Sequence, residues 1–193
     1  MAVFKKEVSI CLFFVSSLWQ VVYPHINQTP SEVRVSISKG PRNSHIVEGQ
    51  FSITASSSAA WEILTDYDHL SAFVSSIKSS RRVRPENGNW IVEQVMIGRA
   101  GIFKKRIYLL PEVKESLGEK ILFRDISRES FKSYSGLWEL TSRDGDILVV
   151  YKLEATPAFF SPDFLTVRAF KGNVKLLLEE VRDEIVMKDR WKK

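Results

Sequence analysis

Residues 59–83, AAWEILTDYDHLSAFVSSIKSSRRV, decide the fold once they are read beside a long amphipathic segment, Asp163 to Trp191. In the first stretch Ala60, Ile63 and Leu64 recur at helical spacing, the pattern breaks at Asp66-Tyr67-Asp68, and a second turn carries Leu70, Phe73 and Val74. Ser57 or Ser58 is placed to cap the first piece, since a serine oxygen there accepts from an orphan amide of the first turn, and Asp68 can do the same for the second. Two short helices are expected, followed directly by a strand. The C-terminal segment sets Val167, Phe170, Val174, Leu177, Leu178, Val181 and Ile185 at steps of three and four, one apolar stripe opposite a charged face. Pro162 and Asp163 suit its start, because proline lacks the donor that would be orphaned there and an acid favours the positive end of the helix dipole. Such a helix has to cover an apolar surface.

That surface comes from the middle of the chain, where β-favouring runs alternate with turn signals. Strands are predicted at Ile46–Thr54, Ile77–Arg84, Asn89–Ile97, Ile102–Glu112, Lys120–Arg128, Lys132–Thr141 and Ile147–Ala155. Pro85-Glu86-Asn87-Gly88 and Arg143-Asp144-Gly145-Asp146 carry tight-turn chemistry, because Asn, Asp and Gly tolerate the positive φ that hairpins demand. Consecutive hairpins make an antiparallel sheet. The expected order is strand, two short helices, about six strands and a long helix.

This order, with W-x-x-L-T-D-Y-D-x-L-x-x-F-V at Trp61 to Val74, the GNWIVEQV and GLWEL strands and the ending YKLEATPAFFSPDFLTVRAFKGNVKLLLEEVRDEI, resembles the START-like (SRPBCC) superfamily. Within it the match is to the polyketide cyclase/dehydrase and coenzyme Q-binding branch, over roughly residues 44–188. The resemblance implies an α+β helix-grip fold: a curved antiparallel sheet wrapped around the long C-terminal helix, with a hydrophobic cavity between them. It also implies a lipid, a quinone-like molecule or another apolar ligand, or alternatively a polyketide aromatase/cyclase activity; a third alternative is a non-catalytic interaction module whose groove receives a protein partner. No cofactor is implied.

Strand alternation selects candidate ligand-binding residues. One face of Lys132–Thr141 carries Tyr134, Gly136, Trp138 and Leu140, and the next strand offers Ile147, Val149, Tyr151 and Leu153. On Asn89–Ile97 the register Trp90/Val92/Gln94/Met96 competes with Ile91/Glu93/Val95/Ile97, and the first buries fewer charges. With Phe103, Ile107, Phe123 and Phe170 added, the inner surface is aromatic with a few polar points, which fits either a plain core or an apolar pocket. The candidate site is therefore Trp90, Gln94, Phe103, Phe123, Tyr134, Trp138, Tyr151 and Phe170.

Catalytic and metal constellations are scarce. His25, His45 and His69 pair with no nucleophile at a recognisable spacing, and no metal-ligand cluster or phosphate loop is visible. Asp66 and Asp68 read as helix-end groups, and Glu93 either as a buried acid-base group or as an outward residue paired with a cation.

The first 23 residues stand apart. Lys5 and Lys6 precede VSICLFFVSSLWQVVY, 16 residues without charge, the shape of a signal peptide or of a slightly short membrane anchor. Either would export the domain, to the periplasm or to the outer side of a membrane; residues 24–43 read as a linker and 44–190 as the domain. Cys11 is the single cysteine, so no internal disulfide is available. The net charge of +5 is clustered at Lys78/Arg81/Arg82/Arg84, at Lys104/Lys105/Arg106 and at Arg190, Lys192 and Lys193. These clusters fit attraction to an anionic membrane surface or a solvated face, and export argues against nucleic acid.

Overall fold

A computed structural model describes residues 31–143 and 145–191; the expected signal or anchor, Cys11, His25 and the last two lysines lie outside the described residues. Nine strands form one open antiparallel sheet: β1 (Arg34–Lys39), β2 (His45–Ile53), β3 (Ile77–Glu86), β4 (Asn89–Ala100), β5 (Phe103–Leu109), β6 (Pro111–Ser116), β7 (Lys120–Asp125), β8 (Phe131–Arg143) and β9 (Asp146–Pro157). Their spatial order is β1-β2-β9-β8-β7-β6-β4-β3, with β5 also paired to β4. Helices α1 (Ser57–Leu64) and α2 (Leu70–Phe73) follow β2, and α3 (Asp163–Trp191) closes the chain. The sheet and the long helix make the helix-grip architecture that the resemblance implies.

Several local expectations are corrected. The N-cap of α1 is Ser56, whose Oγ accepts from the Ala59 amide at 3.2 Å, rather than Ser57 or Ser58. Asp68 does not cap α2; its carboxylate accepts from the Arg82 amide at 2.7 Å and ties the helix pair to β3. The run Ile102–Glu112 is two strands, because Pro111 has no amide to continue the ladder and the Leu110 amide is taken by Asp125 at 2.7 Å. The same buried carboxylate ends β7 three residues early by accepting from the amides of Ser127 and Arg128, where Arg128 turns to φ 54°. Part of the expected linker is also folded: β1 pairs with β2 along the full length of β1, from Arg34↔Gln50 to Lys39↔His45.

The Asn87-Gly88 hairpin turns as its residues dictate, with φ of 50° and 80°. Edge strand β3 is largely exposed, carries four basic residues and is interrupted by two register shifts, features that discourage edge-to-edge pairing.

The core lies between the sheet and α3. From β2 it takes Val47, Phe51 and Ile53, from β9 Ile147, Val149, Tyr151 and Leu153, and from α3 Val174, Leu178, Val181 and Ile185. Gly49 lets the helix approach: a Cβ there would lie 2.2 Å from Leu178 Cδ1. At the far end Asp189 accepts from the Ser56 amide at 2.9 Å and docks the helix on the start of α1. The helix thus rests on the core over its C-terminal half, while its first half covers a space.

Candidate ligand-binding site

That space is a cavity of about 350 Å³ bounded by α3, the inner faces of β8 and β9, the β4–β5 hairpin and the connection between β9 and α3. Leu165, Ala169 and Asn173 form one row along the helix, with Phe170, Val174 and Leu177 beside them. A smaller chamber of about 100 Å³ continues toward α1 and α2, and Met96, Tyr134, Tyr151 and Leu177 belong to the walls of both.

The candidate residues distribute unevenly. Phe103, Tyr134, Tyr151 and Phe170 line the larger cavity, and Gln94, Phe123, Trp138, Tyr134 and Tyr151 line the smaller. Trp90 lines neither. It follows the Gly88 turn and lies beneath the Arg82 guanidinium, 5.3 Å from the ring centroid, with Tyr67 on the same cation at 5.5 Å. Its inward register is as expected, with Val92, Gln94 and Met96 following it onto the chamber wall, but at its end of β4 the ring packs under a cation.

An aromatic floor runs across the sheet. Phe131 and Tyr134 lie 4.9 Å apart, Phe123 reaches Tyr134 at 5.9 Å and Tyr151 at 6.0 Å, and Trp138 meets Tyr151 at 4.6 Å, all within the range of favourable ring pairs. Gly136 is required beside it, since a Cβ there would fall 2.1 Å from the Lys152 carbonyl oxygen on β9 and 2.6 Å from Phe123 Cζ. Burial raises the pKa of Tyr134 and lifts that of Tyr151 well above the ordinary phenol value, so both stay protonated donors at neutral pH.

The mouth is held on one side by Asn173. Its Nδ2 donates to the Arg99 carbonyl at 2.9 Å, and the Arg99 amide donates to its Oδ1 at 3.2 Å, fastening α3 to the β4–β5 hairpin. Across the opening, Lys105 Nζ lies 4.8 Å from the centre of the Phe159 ring. Of the lining residues Phe103 is 61 % exposed and Phe160 95 %; Ile102, next to Phe103, is 89 % exposed, and Phe164, next to the lining residue Leu165, 70 %. On β1, β2 and α3, Lys39 and His45 both bond Asp163, the latter at 2.9 Å, fixing the start of the helix; Lys39 is the larger cause of the lowered Asp163 pKa.

The groups read as acid-base candidates lie elsewhere. Glu93 faces out, bonded to Arg81 at 2.7 Å and to the Tyr108 hydroxyl at 3.1 Å, with its pKa lowered first by Arg81. Asp66 holds His69 at 2.7 Å. Among the described residues no group of three His, Cys, Asp or Glu is placed to hold a metal ion, and no helix is long and apolar enough to cross a membrane. Sequence reasoning missed Phe131, Leu165, Ala169 and Asn173. The last three recur at steps of four, a signal hidden because alanine and asparagine do not read as an apolar stripe.

Residues 44–186 match the family described as polyketide cyclase / dehydrase and lipid transport. No curated protein matches the chain. Among solved structures, the Zhui aromatase/cyclase from Streptomyces sp. R1128 is similar at 13% identity, covering 75% of this chain and 95% of that one with a TM-score of 0.62. A STAR-related lipid transfer protein from Xanthomonas axonopodis follows at 11% identity, 79% and 98% coverage and a TM-score of 0.58. A protein from Thermus thermophilus, TTHA0849, gives 19% identity, 74% and 97% coverage and a TM-score of 0.63. These matches bear out the START-like resemblance that the sequence carries.

Proposed function

We propose that this chain, which belongs to the polyketide cyclase / dehydrase and lipid transport family, binds a lipid or other apolar small molecule between sheet and α3 and exchanges it with an anionic membrane surface. The observation that carries this reading is the mouth: an apolar cavity opens between two lips whose outermost side chains are themselves apolar and exposed. A ligand passing there leaves one apolar environment for another and is not exposed to bulk water on the way. Charge favours the same docking. Arg99, Lys104, Lys105 and Arg106 belong to the β4–β5 hairpin, which carries no acidic residue from Arg99 to Arg106. On the other side Arg168 and Lys171 are exposed on the first half of α3, and the acid at its start, Asp163, is engaged by Lys39 and His45. Each cation near an anionic surface contributes about 1 kcal/mol. The Arg81/Arg82/Arg84 cluster lacks this freedom, being paired with Glu93, Asp68 and Glu86.

A carrier rather than a cyclase is supported by the lining: arginine and lysines stand at the lip, and the ionisable groups inside are phenols whose raised pKa suits them to donate hydrogen bonds, not to accept protons. The run after Lys5-Lys6 supports placing this domain outside the cytoplasm. A fused reporter active only after export should function, and lose function when Leu12 and Phe14 become arginine; equal activity would return the chain to the cytoplasm.

The carrier reading is tested on the purified full chain. Native mass spectrometry should show one retained apolar molecule, N-phenyl-1-naphthylamine should compete for its place, and the chain should sediment with phosphatidylglycerol vesicles. Ile102→Asp with Phe160→Asp should abolish sedimentation and leave the naphthylamine bound. Wild type that neither retains nor accepts an apolar molecule would refute the proposal, and sedimentation unaffected by the double variant would refute the docking face.

A further inference from the structure

Within the walls of the cavity, most polar side chains are already committed. Thr166 Oγ1 donates to the Pro162 carbonyl at 3.3 Å, Asn173 Nδ2 to the carbonyls of Arg99 and Ala169 at 2.9 and 2.6 Å, and Gln94 Nε2 to Ser80 at 3.2 Å. The tyrosine pair differs. Tyr134 and Tyr151 stand on neighbouring strands, flanking the Gly136↔Leu153 pair, and both belong to the walls of the two chambers. Their hydroxyls interact with each other, and no other protein group accepts from either among the described residues. Two phenols carry two donors, and a bond between them can use only one of these. At least one O–H is left inside an apolar cavity, where an unmade hydrogen bond is costly.

We propose that this pair recognises an acceptor oxygen on the ligand, so that the molecule carried is an apolar body bearing a carbonyl or similarly exposed oxygen rather than a pure hydrocarbon. The inference rests on the carrier reading and deepens it. The aromatic floor of Phe123, Phe131 and Trp138 holds both phenol rings in place, so the donor is oriented before the ligand arrives and little rotational freedom is lost on binding. The apolar body lies along α3 in the larger cavity, and its oxygen reaches the junction of the chambers. Discrimination follows, because a ligand without an acceptor leaves the phenol unpaired when it displaces water.

The test uses the full chain and two fluorescent probes. Prodan is a naphthyl ketone whose emission moves to the red when its carbonyl accepts a hydrogen bond; N-phenyl-1-naphthylamine has a similar aromatic body and no carbonyl. Tyr134→Phe with Tyr151→Phe keeps both rings and removes both donors. Prodan affinity should fall roughly two- to tenfold, the net worth of one ordinary hydrogen bond, with its emission moving to the blue, while naphthylamine affinity stays within about twofold. Unchanged Prodan affinity and emission would overturn the inference alone, as would an equal loss for both probes, which marks a structural role. Wild type that binds neither probe and retains no apolar molecule would remove the carrier reading and this inference with it.

Discussion

The most direct test of the grip is at Gly49, where β2 passes beneath Leu178 of α3. A methyl on Gly49 would lie 2.2 Å from Leu178 Cδ1, a carbon in a fully buried side chain. Carbon atoms prefer separations of about 3.5–4.0 Å, so Gly49→Ala forces leucine or helix to give by about 1.5 Å. Overpacking of this kind costs about 1–3 kcal/mol. The backbone effect alone runs the other way, since alanine in a strand narrows the unfolded ensemble and stabilises by about 0.4–1 kcal/mol; the sign of the change separates the two. Leu178→Ala alone should cost about 2–5 kcal/mol, through lost burial and the cavity left behind. In the double variant the new methyl enters the space the leucine vacates, so the pair should cost about 1–3 kcal/mol less than the sum of the singles. Urea denaturation of the four proteins supplies the cycle. Costs that add within about 0.5 kcal/mol would show that Leu178 does not sit over Gly49, and the placement of the cavity along the first half of α3 would fall with it.

Ala169→Phe should fill the larger cavity from the helix side, abolishing naphthylamine binding with the melting temperature held or raised; undiminished affinity would show that ligand does not occupy this space. Asn173→Ala removes both bonds to Arg99 and should speed ligand release in stopped-flow measurements at a stability cost of about 1–2 kcal/mol, whereas an unchanged rate would mean the clasp does not gate the mouth. The Asp163 carboxyl is held below its ordinary pKa of 3.8 by Lys39 and then His45, so it stabilises the fold above that value and the contribution is lost as pH falls through the lowered pKa. Asp163→Asn should therefore flatten part of the acid limb of melting temperature against pH, and an identical acid limb would discount the tie.

The order of elements was legible because it rests on periodicity, and periodicity is a property of neighbours in sequence. The α3 stripe predicts Asp163–Trp191 to the residue, and the alternation on β8 and β9 predicts which side chains face the helix. What failed depended on partners distant in sequence. Asp125 stops β7 and interrupts Ile102–Glu112 by accepting amides from both sides of a corner, which no local window contains. Strand β1 was hidden because RVSISK is mostly exposed and its ladder exists only against β2.

The candidate site divides along the same line. Sheet alternation aims Tyr134, Trp138 and Tyr151 inward, onto the chamber walls, and it aims Trp90 inward as well; but alternation says which face a residue occupies and not what covers that face, and over Trp90 it is the Arg82 guanidinium. The mouth carries this furthest. In the sequence, IGRAGIFKKR and PAFFSPDFL each read as an apolar turn beside charges, which fits a membrane-facing tip or a solvated face equally well. Their meaning comes from closure of the sheet around α3, which brings the tip of the β4–β5 hairpin and the β9–α3 connection to opposite sides of one opening, with Lys105 set over Phe159 between them. Exposed Ile102, Phe103, Phe160 and Phe164 would each be ordinary if scattered. Gathered at the rim of an apolar cavity, with basic residues beside them, they extend the ligand's apolar path outward to the surface on which a membrane would lie.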